Sequence, residues 1–480
     1  MRLPIIAVCF LATSALPGAE FELSVRPDVD PVGARAELLA ALRVSQANGE
    51  PDRIVLPKGA VYLFSGAAPI LPDFGATHLP PIIEPFETVI VGQGSTFSAE
   101  AGAIGRFLAV DAAGRLTVQG LTFRGGSAPM AEGESEDLGR GGAISNRGRL
   151  DVQECAFFGN QAGSHGGAIA NRARTGVLHV EDSHFEANQA FIAGGALDTY
   201  EGGLFVTRSA FLANSATEGG AVATTGGARF SDSTFSGNSA SLYGGAIRNL
   251  SVLSITDCQL TGNRSGAQGG GVANRFQAAQ LSISGSEFSG NQSGRNGGGL
   301  DNLYGSASVV NTRFLNNSTA TSGGGIGSWG ALSVKDCTVA GNLALANGGG
   351  IFNGRAMMLE DTGLTDNRAN ANGGGLWHQG EHGPETMVSV VVGCGFSGNV
   401  SDADEVDGGD GGGVFMSGGN ALVLSDTIMF ANADRGGEAP EVGGMATSAG
   451  NSVVAETSGS AGLLYDITGE EAAAIVRQAE

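Results

Sequence analysis

Four sets of residues in this chain have types and spacings that could do chemistry. The first is the insertion 400–410 (VSDADEVDGGD), which sets Asp402, Asp404, Asp407 and Asp410 on a glycine-rich loop. Carboxylates at near-alternating positions offer the hard oxygens that Ca²⁺ takes. The spacing departs from the EF-hand loop and has no closing Glu, so a solvated acidic loop is the preferred account. Ca²⁺ is the one cofactor the chain suggests. The second set, His378 and His382 with Glu381 and Glu385, could suggest zinc. Its order is not His-Glu-x-x-His, and Gly380, Gly383 and Pro384 prevent a helix from aligning the ligands, so it reads as an exposed loop. The third set is Arg147, Arg172, Arg248 and Arg275, any of which could act as the base of a lyase. Solvated arginines are the simpler reading. The fourth is Phe352, Trp377 and Phe415, at one position in three successive repeats. They are expected to point outward as a flat apolar stripe for glycan or protein, unless the C-terminal tail folds back over them.

Catalysis by a polysaccharide lyase or glycoside hydrolase needs more than this. A lyase needs a base and a group that stabilises the developing anion. A glycosidase needs two facing carboxylates, roughly 5 or 6.5–9.5 Å apart according to mechanism. Acidic residues occur throughout, so facing pairs would arise by chance. No Asp-Asp pair, Gly-His-Gly or Arg-Ile-Lys is present, and the lysines are Lys58 and Lys335 alone. The enzyme question stays open and leans towards no.

The positions of all these residues are set by a repeat. Gly-Gly-(Ala/Gly)-(Ile/Leu/Val) occurs eleven times, its glycine pairs starting at Gly141, Gly166, Gly194, Gly219, Gly244, Gly269, Gly297, Gly323, Gly348, Gly373 and Gly411. An apolar-x-x-Asn element keeps step with it. Its Asn column is Asn160, Asn188, Asn214, Asn238, Asn263, Asn291, Asn317, Asn342, Asn367, Asn399 and Asn432. Short period-two bursts precede each element, as in Leu150 and Val152 or Leu253 and Ile255. Such a period is the signature of a solenoid, here all-β: a single right-handed parallel β-helix of about eleven to thirteen rungs. Stacked Asn side chains can hydrogen-bond along the axis, which makes the column a structural ladder. An acidic column (Glu154, Asp182, Asp232, Asp257, Asp336, Asp361 and Asp426) reads as solvated bends, with bound cations as the minority reading.

Residues 34–47 form an amphipathic pattern and should cap the first layer as a helix. Residues 116–123 are a degenerate rung matching 150–157. The division is therefore a signal peptide at 1–19, a cap with irregular rungs at 20–115, repeats at 116–432 and a tail at 433–480 ending in a short helix from 469. The signal reading rests on Arg2, a mostly apolar run over 3–16 and small residues at Ala15 and Ala19. No later stretch is apolar enough to span a bilayer as a helix.

A net charge of −22 argues against nucleic acid or an anionic membrane as a partner. Cys155, Cys258, Cys337 and Cys394 share a column that elsewhere holds Ser or Thr, and no two occupy adjacent units. At ~4.8 Å per rung the closest pair is too far apart for a disulfide. None is expected.

The pairing of Gly166-Gly-Ala-Ile169 with Phe185-Glu-Ala-Asn188, and of Gly244-Gly-Ala-Ile247 with Phe235-Ser-Gly-Asn238, resembles the repeat of chlamydial polymorphic outer-membrane proteins. It is also similar to exported β-helix proteins of the pectin-lyase-like superfold. The resemblance covers residues 116–432 and implies a surface-exposed or secreted, adhesin-like passenger. Those passengers are usually followed by a membrane barrel, for which the stretch after Asn432 is too short. The expectation is an exported monomer in a bacterium, secreted, periplasmic or at the cell surface. It would be a non-catalytic binding scaffold for a glycan or cell-surface protein. The alternative is a polysaccharide lyase or glycoside hydrolase on the same frame.

Overall fold

The computed structural model describes residues 18–71, 73–130, 137–379, 389–404, 409–417, 422–435, 441–444, 447–448 and 452–454. The core of the signal segment, Glu132, Glu134 and Glu136, the loop residues Glu381, His382 and Glu385, Asp407 and the helix expected from 469 lie outside them. The fold is the expected all-β parallel solenoid, of about 13 turns, with a single N-terminal helix. It divides into two compact units: Met1–Phe191 with Ala196–Phe205, and Ile192–Gly195 with Val206–Glu480.

The helix spans Pro31–Ser45, three residues earlier than its apolar pattern suggests. Asp30 caps it by accepting from the Gly33 amide at 2.9 Å, and Pro31 fills a first position that needs no N–H. Leu38 and Leu42 are buried against the first strands. In the first unit the degenerate rung Arg115–Arg124 pairs in the expected register, Leu116 with Leu150 and Phe123 with Phe157.

A turn holds four short strands, where the sequence pattern suggests three. In one turn of the first unit these are Ile169–Asn171, Val177–Glu181, His184–Glu186 and Gln189–Ala190. The extra break has a local cause. Glu154, Asp182, Asp232, Asp257, Asp336, Asp361 and Asp426 all have φ between 46° and 52°. The same column holds Arg208 and Asn311 at φ 47°, and glycine at Gly285 and Gly393. The acidic column is thus a left-handed bend, where Asp and Asn are the least strained side chains after glycine. A second left-handed column runs just before the ladder Asn, as at Gly159, Gly237 and Gly398, and the first glycine of each pair makes a third.

Between bends the core is built from like residues on like. Phe157 and Phe185 stack at 4.7 Å in the first unit, and Phe211 and Phe235 at 4.7 Å in the second. From Asn214 to Asn432 each ladder amide donates to the next side-chain carbonyl at 2.8–3.0 Å. Each carbonyl also accepts the backbone N–H of the Asn one turn earlier, so little of the buried amide is unsatisfied. A second ladder, unseen in the sequence, ends the glycine strands: Asn249 to Asn274 to Asn302, at 2.8 Å each. The four described cysteines are free and buried, and burial pushes the Cys258 thiol up to about 11.

The bend analysis predicts opposite outcomes at one position. Asp232→Gly should leave urea-unfolding stability within about 0.5 kcal/mol, whereas Asp232→Val should cost about 1–2 kcal/mol for forcing a β-branched residue into the left-handed region.

Candidate glycan groove and the covered glycine face

The residue after each inward Ile, Leu or Val of a glycine strand does point away from the core, but it is covered. The loop ahead of each strand folds back over it. A Cβ built on Gly348 would lie 2.9 Å from the Phe352 Cα, and one on Gly373 would lie 2.8 Å from the Trp377 Cα. The first glycine of each pair thus serves close packing as well as the left-handed bend.

This corrects the exposed aromatic stripe. Phe352 is 3% exposed and Trp377 8%, while Phe415 is half-buried. The column does stack, with Phe352 and Trp377 ring centroids 4.7 Å apart and Trp329 meeting Phe352 edge-on at 4.9 Å. In the covering loops the Asn372 amide donates to Asn347 at 3.2 Å and its carbonyl accepts from the Asp410 backbone at 2.8 Å. The cover is therefore the glycine loops themselves. His378, read as part of an exposed loop, instead lies within the strand Leu376–Gln379 and is buried beside the Asn353 amide at 3.1 Å. Burial lowers its pKa to about 4.

Of the proposed Ca²⁺ ligands, Asp402 is buried at a left-handed bend, Asp404 is exposed and Asp410 half-buried. Among the described residues no group of three or more His, Cys, Asp or Glu side chains is placed to hold a metal.

Further towards the N-terminus of the second unit the covered column turns polar. The four flagged arginines are engaged rather than solvated. Here Arg248 pairs with Glu218 at 3.0 Å, and Arg275 lies 3.3 Å above the Tyr243 ring and donates to Gln268. Beside them Asp301 is fully buried, with neither carboxylate oxygen hydrogen-bonded. Burial raises its pKa to about 8, against the pull of Arg275. Nothing in the sequence marks Asp301, because its column has the outward-facing phase of a period-two strand.

An open groove lies on the next strands of the same unit. Ser254, Ser282, Ser308 and Ser333 stand in register on Val252–Thr256, Gln280–Ser284, Ser306–Val310 and Ala331–Lys335. They floor a groove of about 680 Å³ that Met358 and Val390 continue. None of its lining residues is charged. Phe276 and Tyr304, 57% and 59% exposed, sit in the turns that lead into these strands. Tyr304 lies two residues before Ser306 and Phe276 four before Gln280, both of them lining residues, while the rings themselves are not part of the lining. From Ser254 to Val390 the groove takes five steps of ~4.8 Å and so runs for about 24 Å. The sequence showed these serines only as outward positions of period-two strands. The depth arises because small side chains fall in register on successive turns.

No helix among the described residues is long and apolar enough to cross a membrane. A family profile described as the Chlamydia polymorphic membrane protein repeat matches residues 154–172 and 232–249. Among solved structures, the chain is similar to a tailspike protein mutant of E. coli bacteriophage HK620 in complex with a hexasaccharide. Identity is 12% and the TM-score 0.35, covering 89% of this chain and 76% of that one. A double mutant of that tailspike with a pentasaccharide gives 12% and 0.32, covering 87% and 75%. No curated protein matches.

The burial of Asp301 sets a pH dependence. Its folded pKa, about 8, stands above the ordinary 3.8, so the folded state holds a proton that the unfolded state releases. Its contribution to stability is fully present below pH 3.8 and is lost as pH rises to about 8. Asp301→Asn should therefore flatten the fall in unfolding free energy over that window, as measured by urea titration at a series of pH values.

Proposed function

We propose that this protein is an exported scaffold that binds a glycan chain in the serine-floored groove of its second unit. The observation that carries this reading is the uncharged groove, with two exposed aromatic residues, Phe276 and Tyr304, in the turns that lead into its strands. Aromatic faces stack on the apolar faces of sugar rings, and the serine hydroxyls exchange hydrogen bonds with sugar hydroxyls. A groove without charge suits neutral sugars. Export rests on the segment 1–19, and its charge of −22 keeps such a protein soluble.

A second reading, a polysaccharide lyase or hydrolase, is favoured by Asp301. A carboxyl kept protonated near neutral pH can serve as a general acid. Asp301 is closed over by its own glycine loop, so binding takes precedence. A depolymerisation screen against neutral and acidic polysaccharides decides between them. New reducing ends or unsaturated sugars would establish the enzyme, and their absence across the panel would leave the scaffold.

Binding predicts a division between two kinds of aromatic residue. Phe276→Ala and Tyr304→Ala should each weaken the Kd for a neutral oligosaccharide about tenfold, the equivalent of ~1.4 kcal/mol, with little change in Tm. Trp377→Ala should do the reverse, destabilising by about 3–5 kcal/mol as a large buried side chain is removed, with Kd unchanged. Calorimetric titration beside thermal melts reads both.

A further inference from the structure

The short strands that follow the ladder Asn carry another groove of the second unit. Arg264–Ser265, Gln292–Ser293, Ser318–Thr319 and Leu343–Ala344 pair in parallel and in register, so Arg264, Gln292, Ser318 and Leu343 form one row. Gly266 and Gly294 make the bends beside it. A Cβ on either would meet a backbone carbonyl oxygen of the turn before, that of Ser241 or Gly266, at 2.1 Å. Neither bend can carry a side chain, and the row and its bends line a groove of about 300 Å³. Leu343 and Leu345, the latter 52% exposed, line its far end. From Arg264 to Leu343 the row takes three steps of ~4.8 Å, or about 14 Å.

The groove has one charged lining residue, and it is a cation. Arg264 is exposed, and its guanidinium makes no hydrogen bond or ion pair among the described residues. Arg248 and Arg275, in contrast, are engaged with Glu218 and with Tyr243 and Gln268. Arg295, next to Gly294, is exposed and unengaged in the same way as Arg264. No Asp or Glu occurs in 261–272, 289–298, 315–326 or 340–351, the stretches that carry these strands and bends. At physiological ionic strength a charge reaches ~8 Å. The local composition therefore outweighs the net charge of −22 at this groove.

We propose that the groove binds an acidic oligosaccharide, with a carboxylate on Arg264 and the carbons of a sugar ring against Leu343 and Leu345. The guanidinium offers a planar fork that pairs with both carboxylate oxygens. Between the two ends, the Gln292 amide and the Ser318 hydroxyl each donate and accept, as a run of sugar hydroxyls requires. A groove that opens at the surface suits an extended hydroxylated chain better than an apolar anion, which needs enclosure. The serine groove lies on other strands and has no charged lining residue, so this site stands whether or not that one holds a neutral glycan.

The test is calorimetric titration of the purified chain with a uronic-acid tetrasaccharide, its fully methyl-esterified counterpart and inorganic sulfate. The acid is expected to bind at least tenfold more tightly than the ester. Arg264→Gln should lower its affinity tenfold or more with an unchanged thermal melt, because the side chain is exposed. A saturating neutral oligosaccharide should leave the Kd of the acid as it was. No binding of the acid, equal binding of acid and ester, or an Arg264→Gln variant that binds like the parent would overturn the proposal. Sulfate binding as tightly as the tetrasaccharide would overturn the saccharide assignment. Displacement of the acid by the neutral oligosaccharide would move it to the serine groove and overturn this site.

Discussion

Each repeat depends on three left-handed backbone positions. One sits in the acidic column, one precedes the ladder Asn, and one is the first glycine of the pair. Few residue types reach that conformation without strain, and glycine and Asp accordingly fill most of these columns, with Ala187, Ala213, Ala431, Arg208 and Glu154 among the exceptions. Once the bends are made, side chains of one column fall one turn apart. Phenylalanines can then stack, and Asn amides can hydrogen-bond in line. The ladder satisfies buried polar groups that would otherwise oppose folding. Bends and ladders thus support each other, and neither works without the other's spacing.

The third bend has a consequence beyond folding. Because its glycine packs onto the strand that follows, side chains on that strand's outer side are covered without being part of the core. This explains a buried Phe352–Trp377 stack, ion pairs such as Glu218–Arg248, and an Asp301 held without a hydrogen-bond partner. Open surface with small side chains lies instead on the strands after the turn, and there the serine groove forms.

The solenoid, its register and the Asn ladder were legible in the sequence because each rests on one residue type at one spacing. Leu116 and Phe123 could be aligned with Leu150 and Phe157 by eye, and they pair so. Two things were not legible. Period two says that Trp377 and Asp301 point away from the core, but not that a glycine loop lies above them. Conversely, Ser254, Ser282, Ser308 and Ser333 read as ordinary outward polar residues, since a groove is a property of several turns in register. The acidic column fell between these cases. Its charge suggested cations or solvent, while its cause is backbone conformation.

The second unit presents one open, uncharged surface, the serine groove. The central claim is that the groove holds sugar. It is tested most directly by a crystal structure of the chain grown with a neutral oligosaccharide. The account predicts sugar rings along Ser282 and Ser308, with Phe276 or Tyr304 against a ring face. A complex with sugar at the Phe352–Trp377 column, or an empty groove under saturating ligand that binds elsewhere, would contradict it.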